Sequence, residues 1–295
     1  MAAFDTAFYM SCWRVMSRGL RNAGRKEARM GEFENEKRIE QWAEVLHAAH
    51  RDRQRIAAPS AQFGELSLHE GYEVQARVVA RRCEAGERQV GWKVGATSFA
   101  ILEQMKGMID GPMYGALMSG TTWSDPEHLA AENFFGIGLE AEIGIVLERP
   151  LRGPGITNVD VLSAAAGVVA TAEIIDGRIE QGKSSLADGA ADNAAHGGSV
   201  LGTLMRPARG FDFLHEGAIV RKNGKLFGSA CGVEALGNPL SVVSWLANQL
   251  AAHDRQIEAG HVVSTGSFLK IMEAEAGDII EMSFANLGQI GFAIV

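Results

Sequence analysis

Ile39, Trp42, Ala43, Leu46 and Ala49 recur at the spacing of one helical face, which predicts an amphipathic helix ending near Arg53. Ser67 and Glu70 have the spacing of a capping box ahead of Tyr72, Val74, Val78 and Val79, so a second helix should follow and stop near Gly86. From Val90 the period shortens. Val90 to Ser98 reads as a strand, with Thr97 or Ser98 placed to cap a helix after it. Gly111-Pro112 is a turn before a strand reaching Leu117. Gly138 to Glu148 and Val168 to Asp176 are apolar strands interrupted by single acids, and Asn158 or Asp160 can cap a short helix to Ala166. Asn223-Gly224 joins two alternating runs as a hairpin turn, and Asn238-Pro239 opens a helix whose apolar face carries Leu240, Val243, Leu246 and Leu250. Strands are expected again at His261 to Ser264, Ile279 to Phe284 and Gln289 to Val295. Many short strands with few helices between them predict an α+β chain, a mixed β-roll with flanking helices, and not a doubly wound sheet.

The chain has 295 residues, 46% hydrophobic and 22% charged, which suits one large domain with an appended N-terminal part. Residues 1–36 read apart from the rest. Arg14, Arg18, Arg21, Arg25, Lys26 and Arg29 fall at helical spacing with few acids before Glu27. A transit peptide has this look, and so does an extension ahead of a natural start at Met30, the reading favoured here. This segment is expected to be mobile or to pack on a neighbouring subunit, leaving 37–295 as a single catalytic domain. A formal net charge of −8 excludes nucleic acid and anionic membranes as natural partners and leaves a small molecule or another copy of the chain. No apolar run is long enough to span a bilayer. Cys12, Cys83 and Cys231 form neither a disulfide framework nor a zinc spacing, as expected of a cytoplasmic protein. No GxGxxG follows a strand and no GxxxxGK[ST] occurs, so a nucleotide cofactor is not expected.

The candidate chemistry lies in the two apolar strands. Glu140 and Glu142 are two apart and project to one face of their strand, and Glu173 sits inside the later one. Three carboxylates drawn from apolar strands repel one another unless a hard cation such as Mg²⁺ or Mn²⁺ binds them. The alternative is a solvated edge face. Lys93, between Trp92 and Val94, either reaches out to solvent or is desolvated and poised for proton transfer. Gly91 and Gly95 beside it suggest a close approach of backbone or ligand. Gly177 to Ser185 reads as a loop that closes over something. Asp188, Asp192, Asn193 and His196 form either a capped turn or a pocket wall, and His196 has no second histidine at a ligand spacing.

Gly91-Trp-Lys-Val-Gly-Ala-Thr-Ser98, Leu139-Glu-Ala-Glu142, Ala172-Glu-Ile-Ile-Asp176, Asp192-Asn193, Gly237-Asn-Pro-Leu240, Glu258-Ala-Gly260 and Thr265-Gly-Ser-Phe268 occur in this order. In this set the chain resembles the 2-keto-4-pentenoate hydratase family of the fumarylacetoacetate hydrolase superfamily. Arg149 to Gly155 and Leu246 to Leu250 look most like 2-oxo-hept-3-ene-1,7-dioate hydratases. The likeness runs from about Ile39 to Val295. It implies a fold like the fumarylacetoacetate hydrolase C-terminal domain, Mg²⁺ or Mn²⁺ held by Glu140, Glu142 and Glu173, and Lys93 as an acid/base. It further implies a homo-oligomer acting in aromatic catabolism, with water added to a 2-hydroxy-2,4-dienoate through its 2-oxo-3-enoate form and a metal-stabilised enolate. Thr97, Ser98, Thr265 and Ser267 are the expected hydroxyl donors to substrate. One departure stands out: hydratases of this family commonly carry an acid where this chain has Met113. That position leaves a 4-oxalocrotonate-type decarboxylase as the alternative, and an inactive structural partner of such an enzyme as another.

Overall fold

The computed structural model describes residues 31, 33–98, 111–180 and 184–295. The expectations for residues 1–30 and for a helix after Ser98 therefore lie outside the described residues, as does the middle of the 177–185 loop. Helix α1 spans 33–52, beginning inside the segment read as an extension. It is followed by α2 (Pro59–Phe63) and α3 (Leu68–Glu84). Ser67 and Glu70 form the expected capping box, each side chain bonding the other's backbone. The apolar faces predicted for α1 and α3 are buried. Trp42, Leu46, Val74 and Val78 close on one another with Ala187 and Ala191 from a later helix, making a helical core of its own.

The strands follow: β1 (Gln89–Gly95), β2 (Met113–Met118), β3 (Thr122–Ser124), β4 (His128–Leu129) and β5 (Ile137–Leu147). Helix α4 (Asn158–Ala164) leads into β6 (Ala165–Ile175), and α5 (Leu186–Ala191) into β7 (His196–Leu201). Thr157 caps α4 in place of the expected Asn158 or Asp160. Its hydroxyl is one residue nearer the turn, and Asp160 closes the box from inside. The helix ends at Ala164 because the chain turns at once into β6. Then come β8 (Arg206–Pro207), β9 (Gly217–Lys222), β10 (Lys225–Cys231), α6 (Pro239–Ala251), β11 (Val262–Ser264), β12 (Met272–Ala274), β13 (Ile279–Phe284) and β14 (Gly288–Ile294). Asn223 and Gly224, with φ of 53° and 72°, make the predicted hairpin between β9 and β10. Asn238 caps α6 through the Leu240 N–H, with Pro239 in its first turn.

Two sheets result. The larger runs β2-β1-β11-β5-β6-β7-β3, with β12 also pairing β5 and β8 pairing β6; the smaller runs β10-β9-β13-β14-β4. The pairs β1–β11, β3–β7 and β14–β4 are parallel and the remainder antiparallel, which bears out the mixed β-roll. β5 and β6 pair along nearly their whole length and are buried except near their ends, so their sequences are apolar runs broken only by a few polar side chains. Ile143, Ile145 and Val168 pack with Val220, Ile280 and Ile290 of the smaller sheet in the main core. Complete burial of one such side chain contributes about 1.5–3 kcal/mol.

Candidate metal centre and active site

The register of β5 on β6 sets Glu140 directly opposite Glu173. Like charges opposite each other destabilise a sheet. Glu142, two residues along, points to the same face, and one carboxylate oxygen from each of the three residues lies within 4.8 Å of the others. All three are buried, Glu142 and Glu173 with no exposed surface. The solvated-edge alternative therefore fails.

Each inner carboxylate has one oxygen anchored and one left over. Glu142 Oε2 accepts from Ser264 Oγ at 2.5 Å and from the Gly266 N–H at 2.9 Å, while its Oε1 has no partner among the described residues. Glu173 Oε1 faces Lys93 Nζ at 3.1 Å and His196 Nδ1 at 2.9 Å, and its Oε2 is likewise without a partner. Buried carboxylate oxygens are costly unless something positive meets them. Converging, anchored and otherwise unsatisfied oxygens fit a hard divalent cation.

The electrostatics agree. Burial, then the charge on Glu173, push the Glu140 carboxyl up to about 8. Burial, then the charges on Glu173 and Glu140, drive Glu142 well above the usual carboxylate range, against the hydrogen bonds from Ser264 and Gly266. Glu173 moves the other way: burial opposes its charge, but Lys93 and the His196 hydrogen bond outweigh that and hold it below its ordinary value. Burial pulls His196 below the ordinary imidazole value despite Glu173. An ionised Glu173 can only accept, so His196 Nδ1 carries the proton and turns the carboxylate's other oxygen toward the shared site.

Residues 119–295 match the family described as fumarylacetoacetate (FAA) hydrolase C-terminal. The chain belongs to this family. Among the chain's relatives is a 2-oxo-hept-4-ene-1,7-dioate hydratase of Escherichia coli, 32% identical over 86% of the chain and 96% of the relative. A 2-hydroxypent-2,4-dienoate hydratase of Pseudomonas putida is 35% identical over 72% of the chain and 95% of the relative. A solved structure of 4-oxalocrotonate decarboxylase from Pseudomonas putida G7, complexed with magnesium and adipate, superposes with a TM-score of 0.83 at 30% identity, covering 88% of this chain and 98% of that one.

Lys93 is buried, its Nζ against Glu173, and does not reach solvent. It is held there by the parallel pairing of β1 on β11, where Lys93 is in register with Ser264. A Cβ on Gly91 would sit 2.0 Å from the Val262 carbonyl oxygen, so the expected close backbone approach is present on that side. Lys93 and Glu140 line a cavity of about 230 Å³, walled by Met113, Ile175, Ile271 and the Ala194-Ala195 turn. The four hydroxyl residues do not line it. Thr97 is buried with its hydroxyl unpartnered among the described residues, and Ser98 is buried with its backbone bridged to Ala235. Thr265 donates to the Ile143 carbonyl at 2.9 Å, and Ser267 donates to the Leu269 carbonyl at 2.6 Å, so both hydroxyls brace the turn after β11.

The Asp188 to His196 stretch divides between the two readings. Ser185 caps α5, and Asp188 closes the box from inside the first turn and accepts from the Ser60 hydroxyl. Asn193 clamps β2 by exchanging two hydrogen bonds with the Ala116 backbone, at 2.7 and 2.9 Å. Asn193, Ala194 and Ala195 all have positive φ, a strained left-handed turn that brings backbone to the cavity wall. Arg178 stands out only in the structure. Buried, it bonds Asp192 Oδ1 at 2.6 Å and the His196 carbonyl at 3.0 Å, fixing the corner from which His196 reaches Glu173. The density of polar residues among Ala and Gly pointed to this corner, but nothing in the sequence paired Arg178 with it.

Proposed function

We propose that this chain is a divalent-metal-dependent hydro-lyase that adds water to a 2-hydroxy-2,4-dienoate through its 2-oxo-3-enoate tautomer, in the breakdown of aromatic compounds. The observation that carries the reading is the set of three buried carboxylates, each from an apolar strand, gathered beside a buried lysine, with Glu140 and that lysine lining one cavity. Glu140, Glu142 and Glu173 would hold Mg²⁺ or Mn²⁺. When bound, the ion would withdraw charge from the two oxygens of a 2-oxo acid and favour its enolate. The remaining work falls to the chain. Tautomerisation moves the enol proton to C5, and hydration then places hydroxyl on C4 and a proton on C3. Among the described residues Lys93 is the one cationic side chain lining the cavity, and it is the acid/base for one of these transfers. Thr97 and Ser98, buried directly after Gly95 and Ala96 of the cavity wall, support that wall from behind. Thr265 and Ser267 act indirectly, by shaping the turn whose Gly266 N–H holds Glu142. The apolar walls keep bulk water from the enolate.

Met113 on the cavity wall favours a second reading, 4-oxalocrotonate-type decarboxylation, because loss of CO₂ needs no residue to activate water. The two separate in one assay. With Mg²⁺ and 2-hydroxypenta-2,4-dienoate, loss of ultraviolet absorbance without gas is the expected result. CO₂ from an unsaturated 2-oxo dioic acid, with no hydration, would replace the first reading by the second. Inertness toward both acids across several chain lengths would leave the structural-partner reading. A cytoplasmic homo-oligomer is part of the proposal. Ile219, Leu226 and Ile279 are exposed on one face of the smaller sheet, which suits self-association.

A further inference from the structure

The shape of the metal-side chemistry leaves open what the far end of the substrate looks like, and the cavity speaks to that. Past Lys93 and Glu140 the wall is hydrocarbon: Met113 from β2, Ile175 at the end of β6, Ile271 before β12, and the methyl groups of Ala194 and Ala195. A second cleft adjoins it, sharing Gly189 and Ala195, and its own charged lining is Glu180 and Asp192. Arg178, beside the cleft residues Gly177 and Ile179, is committed to the Asp192 carboxylate through its backbone N–H at 2.7 Å and its Nε at 2.6 Å. A tail ending in a carboxylate would meet methyl groups first and the Glu180 side chain beyond them. Among the described residues no cation stands free to receive it.

We propose that the substrate of this site has one carboxylate only, the one next to C2, and an uncharged hydrocarbon tail lying against Met113, Ile175 and Ile271. The inference rests on the hydro-lyase reading and narrows its substrate class. It sets this chain with the monocarboxylic dienoates, apart from the dioic acids that the names of some relatives specify. Met113 then has a positive role as tail-binding surface, at the position where the resemblance led one to look for an acid.

Calorimetric binding in Mg²⁺ buffer tests this with saturated 2-oxo acids that bind without turning over. From 2-oxobutanoate through 2-oxopentanoate to 2-oxohexanoate, affinity should rise about four-fold per methylene, the equivalent of about 0.8 kcal/mol. 2-Oxoadipate, which differs from 2-oxohexanoate by a carboxylate in place of the terminal methyl, should bind about ten-fold or more weakly than it. Ile271 is 46% exposed, so Ile271→Lys can be introduced with the fold intact and should narrow or invert that preference. Turnover of 2-hydroxyhexa-2,4-dienoate should exceed that of its 6-carboxylate counterpart in kcat/KM. A flat chain-length series, or tighter binding of 2-oxoadipate by the unaltered protein, would overturn the inference and leave the hydro-lyase reading standing. Failure of every 2-oxo acid to bind would overturn both.

Discussion

Replacing a single oxygen tests the metal centre. Glu142→Gln keeps the shape and removes the charge, so Mn²⁺ affinity, followed by electron paramagnetic resonance, should collapse. His196→Ala removes the donor that orients Glu173, and should weaken Mn²⁺ by about 10- to 100-fold. An unchanged affinity in Glu142→Gln would show that the carboxylates do not act as ligands, and in His196→Ala that the histidine does not orient Glu173. Lys93→Met should lower turnover by about 10²- to 10⁴-fold while leaving Mn²⁺ affinity near normal, and full activity would clear the lysine of any role. The metal-free protein has its own signature. Glu140 is raised from 4.5 to about 8 in the folded chain, and Glu142 is raised as well. Below about pH 6.5 the buried histidines, held under the ordinary imidazole value, oppose this, but above it they are neutral in both states and the two glutamates leave the folded chain with more protons than the unfolded one, so stability there falls as pH rises. Thermal melts with chelator should show Tm dropping as pH rises from about 7 to 8, and Mg²⁺ should remove most of that slope. At this scale the three acids and Lys93 were visible in the sequence because charge inside an apolar strand is unusual. The part played by His196 was not. Its partner is a glutamate on a neighbouring strand, a relation that no spacing along the chain encodes.

Whole strands and helices were legible where the signal is local. The capping box at Ser67, the Asn223-Gly224 turn and the Asn238-Pro239 start each rest on residues within four of one another, and each forms as read. The cap of α4 was displaced by one residue because Thr157, Asn158 and Asp160 all carry oxygens that can cap, and only backbone direction chooses among them. Strand order was not legible, since pairing in a roll is non-local. β11 has three residues, yet it separates β1 from β5. Gly91 is where that arrangement can be attacked. Gly91→Ala places a methyl 2.0 Å from the Val262 carbonyl oxygen, so β1 must leave its partner. The variant should lose about 3 kcal/mol or more in urea unfolding, with turnover lost alongside as Lys93 shifts from Glu173. A Gly91→Ala protein of normal stability and rate would mean that β1 and β11 tolerate separation.

Across the whole molecule, the helical core and the sheet core meet at the site. Trp42 of α1 is fully buried in the cluster that includes Ala187 and Ala191 of α5, and α5 runs directly into the left-handed turn and His196. Trp42→Ala should cost about 3–5 kcal/mol. Hydrogen exchange should show α5 opening before β5 and β6, and Mn²⁺ affinity should fall although no ligand has been touched. Uniform exchange across both cores would show the layers to be one unit. The position of β11 between β1 and β5 has a last consequence, for synthesis. A ribosome that has finished β6 has already made Lys93, Glu140, Glu142 and Glu173, yet the strand that seats the lysine beside the acids is still to come. The nascent polypeptide thus holds all four proposed site residues before it can bring them together, and the assembled site arrives only when the final third of translation is complete.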